Sequence, residues 1–381
     1  MTLLDRYIFK SVLVACFAAV CLFAFVLMAG NIIRDLIGPL LSGQLGFLMF
    51  GRLVLLLVPF VISYALPLGM LTAVLLALGR FSSDSEITAM RAAGLSLPRI
   101  ALPALFLAAG LVAVGLKVNF QFMPWARVTY HQDFAASIRT NPLSFIIPKT
   151  FIRDFPGNVI YVGSKEGPVV RDIWVWQLDA QSRAIRFIRA ESGRVDFDEA
   201  TNSFIVPLHH ATIEDYDRRA PDNFTEALHV NTVGQVDPIH LSLTRYSGAG
   251  MVHQKLDWMT YGELEAEKAR IEAQPVPIGG EGQRQRDIMK VALTIQEKIN
   301  LSLAIFSFAL VGVPLGIKVS RRETSANLGV AVTMALSYYF LTVMVGWLDR
   351  HPEYRPDLLL WVPNFIFLGV GIWLLRRLDR A

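Results

Sequence analysis

The residues in this chain that could do chemistry are few, and most sit at the ends of long apolar stretches. Between two such stretches lies Gly79-Arg80-Phe81-Ser82-Ser83-Asp84-Ser85-Glu86-Ile87-Thr88-Ala89-Met90-Arg91-Ala92-Ala93-Gly94. Ser83 and Glu86 have the S-x-x-E spacing of a capping box, Asp84 suits the positive end of a helix, and Gly94 suits its stop. The spacing predicts a helix of roughly three turns over 83–94. Ile87, Met90 and Ala93 or Gly94 share one stripe, with Glu86 and Arg91 beside it. A short amphipathic helix of this kind docks in a groove on a partner or lies on a membrane surface. A surface helix calls for a basic polar face, and the acidic Asp84 and Glu86 favour docking.

A second set is cationic. Arg34 ends the first apolar stretch, Arg52 begins the second, and Lys117 lies near the end of the third. Cations there either bind phosphate, which Arg does bidentately, or snorkel to lipid headgroups. The histidines lack ligand spacing, so no metal site is expected; His209 and His210 are adjacent and would face opposite sides of a strand. Cys16 and Cys21 are five apart and do not share a helix face. There is no G-x-S-x-G, H-E-x-x-H or C-x-x-C and no catalytic set, so the chain is not read as an enzyme. A phosphate loop is also missing, and carboxylates are nearly absent from the apolar stretches. No cofactor is expected on the chain itself, and any power for transport would come from a separate subunit. With a net charge of only +4, no nucleic-acid partner is expected.

The elements that must position these groups are dictated by hydropathy. Of 381 residues, 53% are hydrophobic and 18% charged, well short of the roughly 25% charged usual in soluble domains. The excess falls in six runs, 8–33, 50–78, 100–123, 299–317, 328–348 and 358–375, each long enough to cross a bilayer as a helix. The second contains Pro59 and Pro67, read either as a hinge or as packing. Arg6, Lys10, Arg80, Arg91, Arg99, Lys318, Arg321, Arg322, Arg376, Arg377 and Arg380 cluster at alternate ends of the runs. The positive-inside bias then places both termini in the cytoplasm and the polar middle outside.

That middle changes character after Trp125. Stretches 158–163, 171–178, 184–190, 194–197 and 203–208 are rich in β-branched and aromatic residues, with Gly167-Pro168 and Ser192-Gly193 among the turns. Short strands at this spacing point to a sandwich, jellyroll or barrel. In 173–177 both faces are apolar, so the strand is buried on two sides or has a face for a partner. Thr260 and Glu263 form a second capping box, starting a helix over 261–273, and a Pro/Gly joint follows over 274–282. The expected fold is therefore a membrane α-helical protein with six transmembrane helices (3+3) and an inserted extracytoplasmic all-β, jellyroll-like domain. Its parts are helices one to three over 1–125, the β-domain over 126–258, a helix and linker over 259–290, and helices four to six over 291–381.

Pro67-Leu68-Gly69, Leu78-Gly79-Arg80, Ser85-Glu86-Ile87-Thr88 and Ala92-Ala93-Gly94, with Val313-Pro314-Leu315-Gly316 and Trp361-Val362-Pro363-Asn364, carry a resemblance. Through them the chain resembles the lipopolysaccharide-export permease family, LptF/LptG of the YjgP/YjgQ type, over nearly its whole length. Ser85-Glu86-Ile87-Thr88, Pro124-Trp125 and His131-Gln132 look more like the LptF branch. The resemblance implies an inner-membrane half-transporter that pairs with a sibling permease and sits on a dimeric, LptB-like cytoplasmic ATPase. It implies that the 83–94 helix docks there, with Glu86 as the matching acidic residue; Asp84, Ile87, Met90, Arg91 and Gly94 of the same helix are the other candidate coupling residues. It further implies lipopolysaccharide as cargo, with Arg34 approximately matching a basic position of the lipid cavity, and onward passage to a periplasmic jellyroll protein of LptC/LptA type. Arg52 and Lys117 are the other candidate lipid-binding cations. A scaffold that displays a β-domain without transporting anything is the alternative.

Overall fold

Apolar runs this long can place their backbone polar groups in hydrocarbon only by bonding within themselves, and the chain does so as long helices. A computed structural model describes residues 2–41, 45–140, 146, 148–152, 157–179, 183–198, 203–215, 229–242, 255–274, 281–318, 324–347 and 352–380. Helices α1 (Leu3–Asp35), α2 (Ile37–Leu41), α3 (Phe47–Ser83), α4 (Glu86–Ala92) and α5 (Leu97–Lys117) come first. A π-helical turn, Val118–Phe122, joins α5 to α6 (Met123–Thr140), so helix continues beyond Trp125, where the sequence changes character. Among the described residues seven strands follow: β1 (Phe151–Ile152), β2 (Asn158–Glu166), β3 (Val169–Leu178), β4 (Ala184–Arg194), β5 (Asp196–Asp198), β6 (Ser203–Asp215) and β7 (His229–Ser242). The chain returns to helix in α7 (Tyr261–Ala273), α8 (Glu281–Lys318), α9 (Thr324–Gly346), α10 (Pro356–Leu359) and α11 (Val362–Arg380).

Among the described residues, five stretches are long and apolar enough to cross a membrane: Leu3–Asp35, Phe47–Ser83, Leu97–Phe134, Glu281–Lys318 and Pro356–Arg380. The run expected over 328–348 falls mostly in α9 (Thr324–Gly346), where the described stretch Val332–Gly346 is apolar. Arg321, Arg322, Leu348 and the middle of the 274–282 joint lie outside the described residues. Helix α3 continues unbroken through Pro59 and Pro67.

The chain divides into two compact units. One comprises Met1–Asn31, Leu56–Val128 and Lys255–Ala381; the other comprises Ile32–Leu55 and Thr129–Gln254. In the first unit, lipid tails are as apolar as the helix faces, so close approach and hydrogen bonds must do the joining. Three glycines supply the approach, two of them, Gly69 and Gly316, from the resemblance motifs. A Cβ on Gly69 would collide with Val20 of α1, one on Gly316 would lie 3.2 Å from the Leu75 Cα of α3, and one on Gly371 would lie 3.1 Å from the Leu310 backbone of α8. The hydrogen bonds centre on Asn364, 2% exposed in α11. Its Nδ2 donates to Asn300 Oδ1 at 2.8 Å and its Oδ1 accepts from Ser307 Oγ at 3.0 Å. Tyr338 of α9 donates to the Asn300 carbonyl at 3.3 Å, and Trp361 donates to Gln296 at 3.0 Å. The Trp361-Val362-Pro363-Asn364 motif thus fastens α11 to α8.

Helix α7 starts as its sequence predicts: the Thr260 hydroxyl accepts from the Glu263 amide at 3.4 Å, and Glu263 Oε2 accepts from the Thr260 amide at 2.8 Å. Leu264 behind the cap is fully buried. Glu265 accepts the Tyr261 hydroxyl at 2.7 Å and raises that phenol above its usual range.

In the second unit every described strand joins one antiparallel sheet, in the order β1-β2-β3-β4-β6-β5 with β7 also paired to β6. Pro207 sits where the β6–β7 register slips between Val206↔Ile239 and Leu208↔Val236, opposite Asp237-Pro238, because neither proline can donate to the ladder. Ile160, Val162, Ile173, Val175, Ile188 and Ala190 form the buried face. On the opposite face Tyr161, Trp174, Trp176 and Phe187 make a ladder with ring centroids 5.0–6.2 Å apart.

The ladder registers place Gly163, Asp172, Glu191 and His210 in one row across four strands. Asp172 and His210 both have φ 53°, and a Cβ on Gly163 would lie 2.9 Å from the Asp172 Cβ. Two left-handed residues and a close-approach glycine thus fall in one row, which interrupts regular strand geometry there. Asn364→Leu is expected to lower stability by roughly 1–2 kcal/mol, since it removes three interhelical bonds and orphans Asn300 Oδ1. Gly316→Leu should cost about 1–3 kcal/mol by overpacking. Thermal unfolding of the detergent-purified chain measures both; an unchanged midpoint would contradict these packing roles.

Candidate functional site

Helix α3 keeps its apolar phase through Phe81, which is fully buried, so the chain is still helical at Ser83. The Ser83 hydroxyl donates backwards to the Arg80 carbonyl at 2.9 Å, and the expected Ser83–Glu86 capping box does not form. The N-cap is Ser85, in the left-handed region at φ 61°, with no side-chain cap bond. Helix α4 therefore spans Glu86–Ala92, shorter than the 83–94 read from the sequence.

Its other end closes as the sequence predicts. Gly94 has φ 86°, its amide donates to the Arg91 carbonyl at 2.9 Å, and the Leu95 amide donates to the Met90 carbonyl at 3.1 Å, which is a full Schellman pair.

The apolar stripe of α4 is already used within the chain. Ile87 and Met90 are buried in one cluster with Ile8, Val12, Phe81, Leu97 and Leu375, from α1, α3, α5 and α11. Polar ties surround that cluster. Tyr7 donates to Glu86 Oε1 at 3.2 Å, and Arg91 donates to the Asp379 carbonyl at 3.4 Å. The Asp379 carboxylate accepts from the Leu97 amide at 2.9 Å, and Ser82 donates to the Ile317 carbonyl at 2.8 Å. Helix α4 is thus seated on the ends of four long helices, and it leaves Asp84, Thr88, Ala89, Arg91 and Ala92 exposed.

The candidate cations are placed separately. Arg34 and Arg52 are exposed in the second unit: Arg34 pairs with Asp35 at 2.8 Å and Arg52 with Asp133 at 2.7 Å. Lys117 is the exposed last residue of α5 in the first unit. His209 and His210 are both exposed, and the described residues contain no cluster of three or more metal-ligating side chains. His253 and His351 lie outside the described residues.

One polar site in the first unit was missed by the sequence reading. Lys298 is only 6% exposed, and its Nζ donates to the Met259 carbonyl at 2.7 Å. Asn119, 1% exposed in the π-helical turn, donates to Ser302 Oγ at 2.9 Å. Both line a cavity of about 180 Å³. The signal was available: Asn119 and Asn300 lie inside apolar runs and Lys298 immediately precedes one, where polar groups are expensive unless partnered.

Met90→Ala is expected to destabilise the chain by about 2–5 kcal/mol, whereas Thr88→Ala on the exposed face should change little. Thermal unfolding of both variants checks the division between buried and exposed faces.

Comparison with known proteins fits this architecture. The profile of the family described as "Lipopolysaccharide export system permease LptF/LptG" matches residues 6–377. The chain is 22% identical over 379 residues to the lipopolysaccharide export system permease protein LptF of Escherichia coli K12, covering 96% of this chain and 93% of that one. The protein of the same description from Shigella flexneri matches to the same extent. With its membrane-length helices, inserted antiparallel sheet and nearly full-length profile match, the chain belongs to the LptF/LptG family of lipopolysaccharide export permeases.

Proposed function

We propose that this multi-pass inner-membrane permease is one half of the membrane part of an ATP-driven exporter. It pairs with a sibling permease, sits on a dimeric LptB-like ATPase in the cytoplasm, and takes lipopolysaccharide from the outer leaflet of the inner membrane. Both termini face the cytoplasm and the β-sheet region faces the periplasm. ATP binds the partner, and the chain itself moves lipid without catalysing a reaction. The domain limits remain those of the sequence: helices over 1–125 and 291–381, the β-domain over 126–258, and the linker over 259–290.

The observation that carries the reading is the seating of α4. Ile87 and Met90 hold it to α1, α3, α5 and α11, while Asp84, Thr88 and Arg91 point outward. A push on the exposed face reaches all four helices through a packed core, which resists deformation. Glu86, tied to Tyr7, is the acidic contact for the ATPase, and Gly94 fixes the angle at which the helix ends.

At the other ends of the spans, Arg34 and Arg52 exchange their carboxylate partners for phosphates of the lipid, and Lys117 offers a third cation. The left-handed residues Asp172 and His210, in one row of the sheet, suit a jellyroll-like curl. Strand β7, fourteen residues long and paired on the β6 side, suits edge addition by a periplasmic LptC/LptA-like jellyroll.

Co-purification of the ATPase with the native chain and with Glu86→Lys and Tyr7→Phe tests this. Glu86→Lys should reduce retained ATPase by about tenfold or more, and Tyr7→Phe should reduce it less. Unchanged association in Glu86→Lys removes Glu86 from the contact. Finding no ATPase even with the native chain would favour a scaffold.

A further inference from the structure

The cavity between α3, the π-helical turn, α6, the Leu256–Trp258 turn and α8 has no part in the reading above. All of its walls belong to the first unit. It lies where two spans end: Asn119 and Arg127 flank the close of the third apolar run, and Lys298 immediately precedes the fourth.

A lysine at that height ordinarily snorkels to water. Lys298 is buried, bonds the Met259 carbonyl and lies 5.7 Å from the Phe120 ring centroid; among the described residues no carboxylate reaches ion-pair distance of it. Asn119 Oδ1 is buried in the same wall without a hydrogen-bond partner among the described residues. An unfilled acceptor and a buried ammonium with N–H groups to spare, both lining one cavity, call for a ligand carrying both a donor and an anionic acceptor.

The rest of the lining has the same duality. Arg127 lies over the Phe60 ring at 4.0 Å. Asp257 and Glu297 are exposed at the rim, and Tyr64 and Trp258 add aromatic surface. The cavity of about 180 Å³ holds roughly six waters' volume, which suits a polar headgroup and is far too small for acyl chains. The π-helical turn that carries Asn119 is the kind of helix irregularity that recurs at functional sites.

We propose that this cavity binds a phosphoethanolamine group. Its phosphate meets Lys298 and Arg127. Its ammonium meets Asn119 Oδ1, the two rim carboxylates and the aromatic faces. Two sources carry this chemistry: the headgroup of phosphatidylethanolamine, and a phosphoethanolamine substituent on lipid A. The proposal does not depend on which way the chain faces, nor on the ATPase.

The test uses the full chain in nanodiscs of phosphatidylcholine, phosphatidylglycerol or phosphatidylethanolamine with matched acyl chains, and in phosphatidylcholine doped with lipid A with or without phosphoethanolamine. Lipid retained after detergent extraction is counted by mass spectrometry. The native chain should retain phosphatidylethanolamine, phosphoethanolamine-bearing lipid A, or both, about tenfold over its matched controls. Lys298→Met and Asn119→Leu should each abolish that preference. Preference for phosphatidylethanolamine assigns the source to the phospholipid, and preference confined to the modified lipid A assigns it to the glycolipid. Equal retention of all headgroups by the native chain overturns the proposal, as does an undiminished preference in both variants. If neither variant folds, the headgroup comparison on the native chain decides.

Discussion

Hydrocarbon offers a helix no hydrogen bonds and gives little reason for one apolar face to prefer another over lipid. The helical unit of this chain depends on how that constraint is met. Gly69, Gly316 and Gly371 let backbones meet where any side chain would hold them apart. Asn300, Ser307, Tyr338 and Asn364 satisfy one another across three helices. Both devices act over short range and have few alternatives, so the unit is joined at discrete points and not along whole apolar faces.

This manner of joining has a mechanical consequence. Helix α4 is too short to be stable alone, and it exists because Ile87 and Met90 are buried among residues of four longer helices. A force applied to it is therefore shared with α1, α3, α5 and α11 through close-packed side chains. The second unit solves a different problem. Its sheet pairs its own backbone groups, and the row Gly163–Asp172–Glu191–His210 places two left-handed residues in line, where the regular strand geometry is broken.

Much of this was legible in the sequence because the bilayer imposes length and the strand imposes alternation. The apolar runs mark the long helices, and the β-branched stretches fall within β2, β3, β4 and β6, except that 194–197 straddles the break between β4 and β5 at Val195. The two S/T-x-x-E boxes show where reading stops. Thr260 follows an extended residue, so its hydroxyl is free to cap α7. Ser83 is still inside α3, whose buried Phe81 keeps the helix going, so its hydroxyl turns back to Arg80 and Ser85 begins α4. Local spacing is identical in the two; only the packing of the preceding residues separates them. Lys298 escaped for a similar reason. It reads as part of a polar lead-in to the fourth span, and only the fold shows that it is buried beside Asn119. The motif residues Trp361 and Asn364 marked the family without revealing that their role is to hold α11 on α8.

The central claim is that α4 transmits motion through its buried stripe, and uncoupling tests it most directly. The chain, its sibling permease and the ATPase would be reconstituted in vesicles. ATP hydrolysis and delivery of lipopolysaccharide to a soluble periplasmic acceptor would be followed together, for the native chain and for Met90→Ala. The account predicts that Met90→Ala keeps the ATPase bound and hydrolysing while lipid delivered per ATP falls steeply. Delivery that stays in proportion to hydrolysis would contradict it.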